Sequence, residues 1–126
     1  MCRGVFDLLH VAHLRHLEEA RAMGDLLIVS LTPDETAATE KRRPVIPENE
    51  RREMLLGLRF VDAVDLRASW RDSILQWRPY LYVKGHDHKL TEAERFCCEA
   101  NGVKVAFTKP NPQHTRAIIG RIKECA

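Results

Sequence analysis

The sequence predicts an α/β chain, a doubly wound parallel sheet of about five strands with helices on both faces. Three observations predict it. Short β-rich runs alternate with helical periods along the chain. Leu26 to Leu31 (LLIVSL) is apolar on both faces, as a central parallel strand must be. No low-complexity linker divides the 126 residues, which suits one domain spanning 1–126.

The elements follow in order. A shortened first strand precedes Gly4, with only Met1, Cys2 and Arg3 ahead of it. Ala12 to Met23 is the first helix, with Leu14, Leu17 and Ala20 at core spacing, and Gly24-Asp25 stops it. After the Leu26 to Leu31 strand, Thr32 to Pro47 reads as a polar loop carrying Lys41, Arg42 and Arg43. Pro47 suits the first turn of a helix running to about Leu58, with Glu48 and Glu50 near its positive end. Ala63 to Leu66 is a short strand, and Ser69 to Trp77 a helix halted by Pro79. Tyr80 to Lys84 is a strand, and Thr91 to Asn101 a helix with Gly102 at its C-terminal cap. Val103 to Thr108 is a strand, and Thr115 to Glu124 the last helix. This is a Rossmann-like pattern, in which ligands collect at the carboxyl ends of the strands.

Composition narrows the partners. A net charge of +2 is too small for a general nucleic-acid binder, so no nucleic acid is expected. No apolar run is long enough to span a bilayer, and the N-terminus has no apolar h-region. Cys2, Cys97, Cys98 and Cys125 form no C-x-x-C pair and read as reduced thiols. A cytoplasmic protein with no membrane partner is the expectation.

The densest chemistry lies in the first strand-to-helix turn, Gly4-Val5-Phe6-Asp7-Leu8-Leu9-His10-Val11-Ala12-His13. A helix start offers unpaired N–H groups and a partial positive charge, which together suit a phosphate. His10 and His13 are three apart and share one face. Near that positive end protonation is disfavoured, so both imidazoles are expected to be neutral donors to phosphate oxygens. A lone histidine here would more often be a cap or a core residue. Two at this spacing, after Gly4 and Asp7, favour a ligand.

Other candidates have plainer readings. Lys41-Arg42-Arg43 also fits a solvated charge run. Arg59 and Asp62 also fit a surface ion pair. His86, Asp87 and His88 alternate in direction, so only His86 and His88 share a side, too few for a metal site. Trp70 and Trp77 read as core.

GVFDLLHVAH resembles the G-x-F-D-x-x-H-x-G-H signature of the cytidylyltransferase-like nucleotidyltransferases. Arg59-Phe60-Val61-Asp62 resembles their R-[YF]-V-D segment, and RPVIPENERREMLLGL fits the usual lead-in. Tyr82-Val83-Lys84-Gly85-His86-Asp87 is similar to the V-K-G-x-D-Y of the sugar-phosphate branch. The matches run in order through nearly the whole chain.

The resemblance implies transfer of CMP or AMP from CTP or ATP to a phosphorylated small molecule, a sugar phosphate or glycerol phosphate. Pyrophosphate leaves, usually with Mg²⁺ bound through the nucleotide phosphates and no metal ligand from the protein. It casts His10, His13, Lys41 and Arg59 as catalytic. Gly4, Val5, Phe6, Asp7, Gly85, Asp87, Thr115 and Arg116 would bind the nucleotide. A homodimer is also implied.

Three departures stand against this pattern. Ala12 replaces the Gly before the second histidine. Only Thr115 matches the Ser/Thr-rich turn that opens the family's last helix, and Arg116 follows it. The first strand is short. These motivate an alternative, a catalytically impaired nucleotide-binding sensor or partner subunit on the same fold.

Overall fold

The computed structural model describes residues 1–110 and 115–125, with side chains described outside 115–118 and 125. Its strands are β1 (Cys2–Gly4), β2 (Ile28–Leu31), β3 (Ala63–Leu66), β4 (Leu81–Lys84) and β5 (Lys104–Phe107). Its helices are α1 (Val11–Ala22), α2 (Asp34–Glu40), α3 (Glu48–Leu56), α4 (Trp70–Trp77), α5 (Glu92–Ala100) and α6 (Thr115–Cys125). The strands form one parallel sheet in the order β3-β2-β1-β4-β5. The expected five-stranded doubly wound sheet is therefore observed.

Side chains alternate across each strand, and two cores result. Cys2, Val29, Leu31 and Val83 pack with Leu17, Ala20 and Leu55, so α1 and α3 cover one face. Met1, Tyr82, Ile28 and Val105 pack with Ile74, Cys97 and Cys98, so α4 and α5 cover the other.

The short first strand is paired on both sides. Cys2, Arg3 and Gly4 stand opposite Val29, Ser30 and Leu31, and Cys2 stands opposite Val83. The Val83 N–H donates to the Met1 carbonyl at 2.8 Å, so the strands neighbouring β1 keep their partners.

Three expectations change. The loop expected from Thr32 to Pro47 contains α2, whose seven residues lack an apolar period but start with Asp34 and Glu35 at the positive end. Ala37 is its one buried residue. Leu14, expected in the core, is exposed on α1. Trp77 is also partly exposed, its indole N–H donating to Asp65 Oδ2 at 2.9 Å, whereas Trp70 packs on the α4–α5 core.

Candidate active site

The chain steps outward from β1 to β2 and β3, then crosses back to β4 on the far side of β1. The topological switch point therefore lies between β1 and β4, and two turns open from it. The first runs from Val5 to His10. Phe6 and Leu8 both sit at φ 50°, the left-handed region that costs a side-chain-bearing residue about 1–2 kcal/mol. Gly4 is required beside them, because a Cβ there would lie 2.9 Å from the Phe6 ring.

Such strain persists only where the surroundings over-determine it. Arg51 of α3, fully buried, does much of this. Its guanidinium donates to the carbonyls of Val5 (2.6 Å), Thr32 (2.9 Å) and Ile46 (2.9 Å), and pairs with Asp34 at 2.7 Å. Asp34 and Glu48 then accept from one another's backbone N–H groups, tying α2 to α3.

Asp7, also buried, ties the same turn to the loop ahead of α3. It accepts from the N–H groups of Val45 (2.9 Å) and Ile46 (3.0 Å) and from Arg42 at 2.8 Å. Burial alone would raise its carboxyl. The Ile46 and Val45 amides, with Arg42, outweigh that and hold it below its ordinary range. Asp7 thus orients the turn and its partner loop.

The turn ends in a reciprocal histidine cap. His10 is the N-cap of α1, its Nδ1 accepting from the Ala12 N–H at 3.2 Å. The His10 N–H donates in turn to His13 Nδ1, also at 3.2 Å. The rings stack 3.8 Å apart, and Phe6 meets His13 edge-on. The cap reading and the ligand reading of these histidines are therefore compatible. With each Nδ1 accepting, the proton of a neutral ring sits on Nε2. Burial, then the charges of His10 and His16, push His13 down to about 3 against the pull of Asp7. A neutral donor at His13 results.

The second turn, Gly85 to His88, follows β4. Its base is a buried ion pair, Lys84 with Glu94 at 2.8 Å, and Tyr82 and Thr91 also donate to Glu94. The His88 N–H closes the turn on the Gly85 carbonyl at 3.1 Å. Asp87 and His88 are exposed, with His88 Nε2 3.8 Å from Asp87 Oδ1. His16, one turn beyond His13, bridges toward this side through a 2.8 Å contact with Thr108 Oγ1. Burial and the charge of His88 disfavour its protonation, against Glu19 and Asp87.

The loop cations separate. Arg42 anchors Asp7, Arg43 pairs with Glu35 at 2.9 Å, and Lys41 is exposed at the end of α2. Arg59 lines a different cleft, with Val11, Leu14, Arg15 and Glu18 on the outer flank of α1. Its expected partner Asp62 instead pairs with Arg21 at 3.3 Å and caps the Leu27 N–H at 2.7 Å. The Leu27 N–H just ahead of β2 and the Arg21 guanidinium draw Asp62 away from the exposed Arg59. Thr115 opens α6 as expected, but its side chain and that of Arg116 lie outside the described residues, as does His114.

A strained strand-to-helix turn ending in a stacked histidine cap whose His13 is held neutral, at the switch point of a 3-2-1-4-5 sheet, can cradle and polarise phosphates. The family model described as cytidylyltransferase-like matches residues 1–94. The chain belongs to the cytidylyltransferase-like family. It is an enzyme of the nucleotidyltransferase type.

This cytidylyltransferase-like chain is 37% identical to an FAD synthase of Aciduliprofundum boonei over 112 residues, 86% of this chain and 75% of that protein. It is 33% identical to an FAD synthase of Thermoplasma volcanium over 96 residues, 75% of this chain and 68% of that protein. Among solved structures it resembles the lipopolysaccharide core biosynthesis protein from Thermoplasma volcanium GSS1. There the TM-score is 0.81 and the identity 29%, with 88% of this chain and 95% of that chain covered. No helix among the described residues is long and apolar enough to cross a membrane.

Sequence reasoning missed Arg51, Glu94 and His16. Arg51 sits in the charged run NERRE and nothing distinguishes it from Arg52, which is exposed. Glu94 carried a usable signal, since Thr91-x-x-Glu94 is a capping-box spacing. His16 had one as well, continuing the three-residue spacing of His10 and His13.

Proposed function

We propose that this chain transfers AMP from ATP to FMN, releasing pyrophosphate and forming FAD. The observation that carries the reading is the reciprocal histidine pair capping α1, set in a chain whose relatives over three quarters of its length are named FAD synthases. FMN is a phosphorylated small molecule whose phosphate ends a ribityl chain, and it takes the place of the sugar phosphate or glycerol phosphate that the sequence motifs imply.

A phosphate oxygen of the acceptor attacks the α-phosphorus of ATP in line, and the bond to the β,γ-pyrophosphate breaks. Catalysis of this kind rests on position and charge neutralisation. The His13 Nε2–H, with His10 beside it, donates to non-bridging oxygens as their charge grows. The N–H groups at the start of α1 add their dipole. Asp7 and Arg51 take no part in the transfer and hold the turn in register. Lys41 is the exposed loop cation that would approach the phosphates, and Asp87 and Gly85 would border the nucleoside. Mg²⁺ would be carried on the triphosphate, where it supplies charge neutralisation. Among the described residues no three His, Cys, Asp or Glu side chains cluster to hold a metal, so no step is assigned to a protein-held ion.

The test is pyrophosphate release from ATP and from CTP across FMN, glycerol 3-phosphate and sugar phosphates, with FAD followed by chromatography. Turnover with ATP and FMN, and little with CTP, is expected. Turnover with a sugar phosphate alone would reassign the acceptor. No release with any pair would overturn the enzyme reading in favour of a nucleotide-binding protein.

A further inference from the structure

We propose that Arg3 is an anion-binding residue that receives the phosphate group of the acceptor. Register supplies the first argument. Cys2 stands opposite Val83, so the next residues of the two adjoining strands, Arg3 and Lys84, lie at the carboxyl edge beside the switch point. Arg3 stands opposite Ser30, and Ser30 opposite Asp65. Laterally paired residues share a face, so Asp65, Ser30, Arg3 and Lys84 form one polar row across four strands. Ser30 Oγ bonds Ser73 Oγ of α4 at 2.6 Å, which places the row on the α4–α5 face.

Charge supplies the second argument. Asp65 is matched by Arg67 at 2.7 Å, and Lys84 by Glu94 at 2.8 Å. Arg3 has no carboxylate within ion-pair distance among the described residues. Its Nη1 donates to Ser30 Oγ (2.8 Å) and the Arg67 carbonyl (3.0 Å), and its Nη2 to the Ala68 carbonyl (3.0 Å). All three acceptors are neutral. Burial opposes the charge, and Tyr82, Glu40, Asp65 and Glu94 offset it only from further away.

Geometry supplies the third. Three bonds engage both Nη1 hydrogens and one on Nη2, leaving the Nε–H and the second Nη2–H without a partner among the described residues. Those two form the edge of a guanidinium that grips a phosphate in bidentate fashion. The Nη2 bond lies at an exposed position, so this side opens to solvent. Arg3 immediately precedes Gly4 and the histidine-capped turn. A phosphate seated on it would stand beside the triphosphate, with its organic part extending over the ends of β2 and β3 toward Ala68. A purely structural clamp between β1 and the loop after β3 would need the three bonds, but neither the unmatched charge nor the vacant edge.

The inference rests on the transfer proposed above only for the identity of the anion. Two readouts separate them. With the triphosphate site filled by a non-hydrolysable ATP analogue, inorganic phosphate should raise the Tm of the wild-type chain further. Arg3→Met should abolish that increment while keeping the increment due to the ATP analogue. Arg3→Lys, which keeps the charge and loses the fork, should retain part of it and covers the case in which Arg3→Met fails to fold. In turnover assays Arg3→Met should raise KM for the acceptor roughly 10- to 100-fold, with KM for ATP unchanged. No phosphate increment in the wild type would overturn the proposal, as would an increment kept in both variants or equal loss of affinity for ATP and acceptor. Failure of FMN as a substrate would appear separately, as absence of FAD with the phosphate increment intact.

Discussion

The turn after β1 and the turn after β4 open from the same switch point, yet they are held differently. The first has two left-handed non-glycine residues, a buried guanidinium beneath it and a buried carboxylate beside it. The second is anchored at its base by Lys84 and Glu94, while its tip, His86 to His88, is exposed. Pre-set geometry suits groups that must meet a transition state without reorganising. An exposed tip suits groups that meet a ligand's periphery. Substitutions in the two turns should therefore fail in different ways.

Arg51→Met should have the largest effect. It strips three carbonyls and Asp34 of their donor, and breaking a buried pair costs roughly 3–5 kcal/mol. Urea unfolding should show that loss, with turnover gone too. If stability is unchanged, the first turn is held by something else.

His13→Ala should come next for the chemistry. A drop of about 10²–10³ in kcat is expected for loss of one donor to the developing charge, with the melting transition still cooperative. A fall confined to KM would move His13 from catalysis to binding. Gly4→Ala should cost about 1–3 kcal/mol by denaturant unfolding, because the Phe6 ring must shift from a contact of 2.9 Å. Asp87→Ala should stay within about 0.5 kcal/mol of wild-type stability while weakening nucleotide affinity by calorimetry. An Asp87 variant as unstable as the Gly4 variant would erase the contrast between the turns.

The sheet was legible because its signals are local. LLIVSL is doubly apolar, and α1, α4 and α5 are followed by the breakers Gly24, Pro79 and Gly102, the last at φ 68°. The helix α2 was not, since DETAATE has no apolar period and is held by contacts that α3 makes with it. The histidine pair was legible as a spacing, but its reciprocal capping was not. Arg51 and Arg3 were hidden for one reason. An arginine's importance depends on which carbonyls surround it, and those of Val5, Thr32, Arg67 and Ala68 come from distant parts of the chain.

Helix α1 begins with two imidazoles that accept at Nδ1, and burial keeps His13 neutral with its proton on Nε2. Long-range ¹⁵N–¹H correlation spectra of the histidine rings, recorded from about pH 8 to about pH 5, test it directly. His13 should remain neutral across that range, with Nδ1 unprotonated and Nε2 carrying the hydrogen. A His13 ring that takes up a proton near its ordinary value, or that holds its hydrogen on Nδ1, would contradict the account.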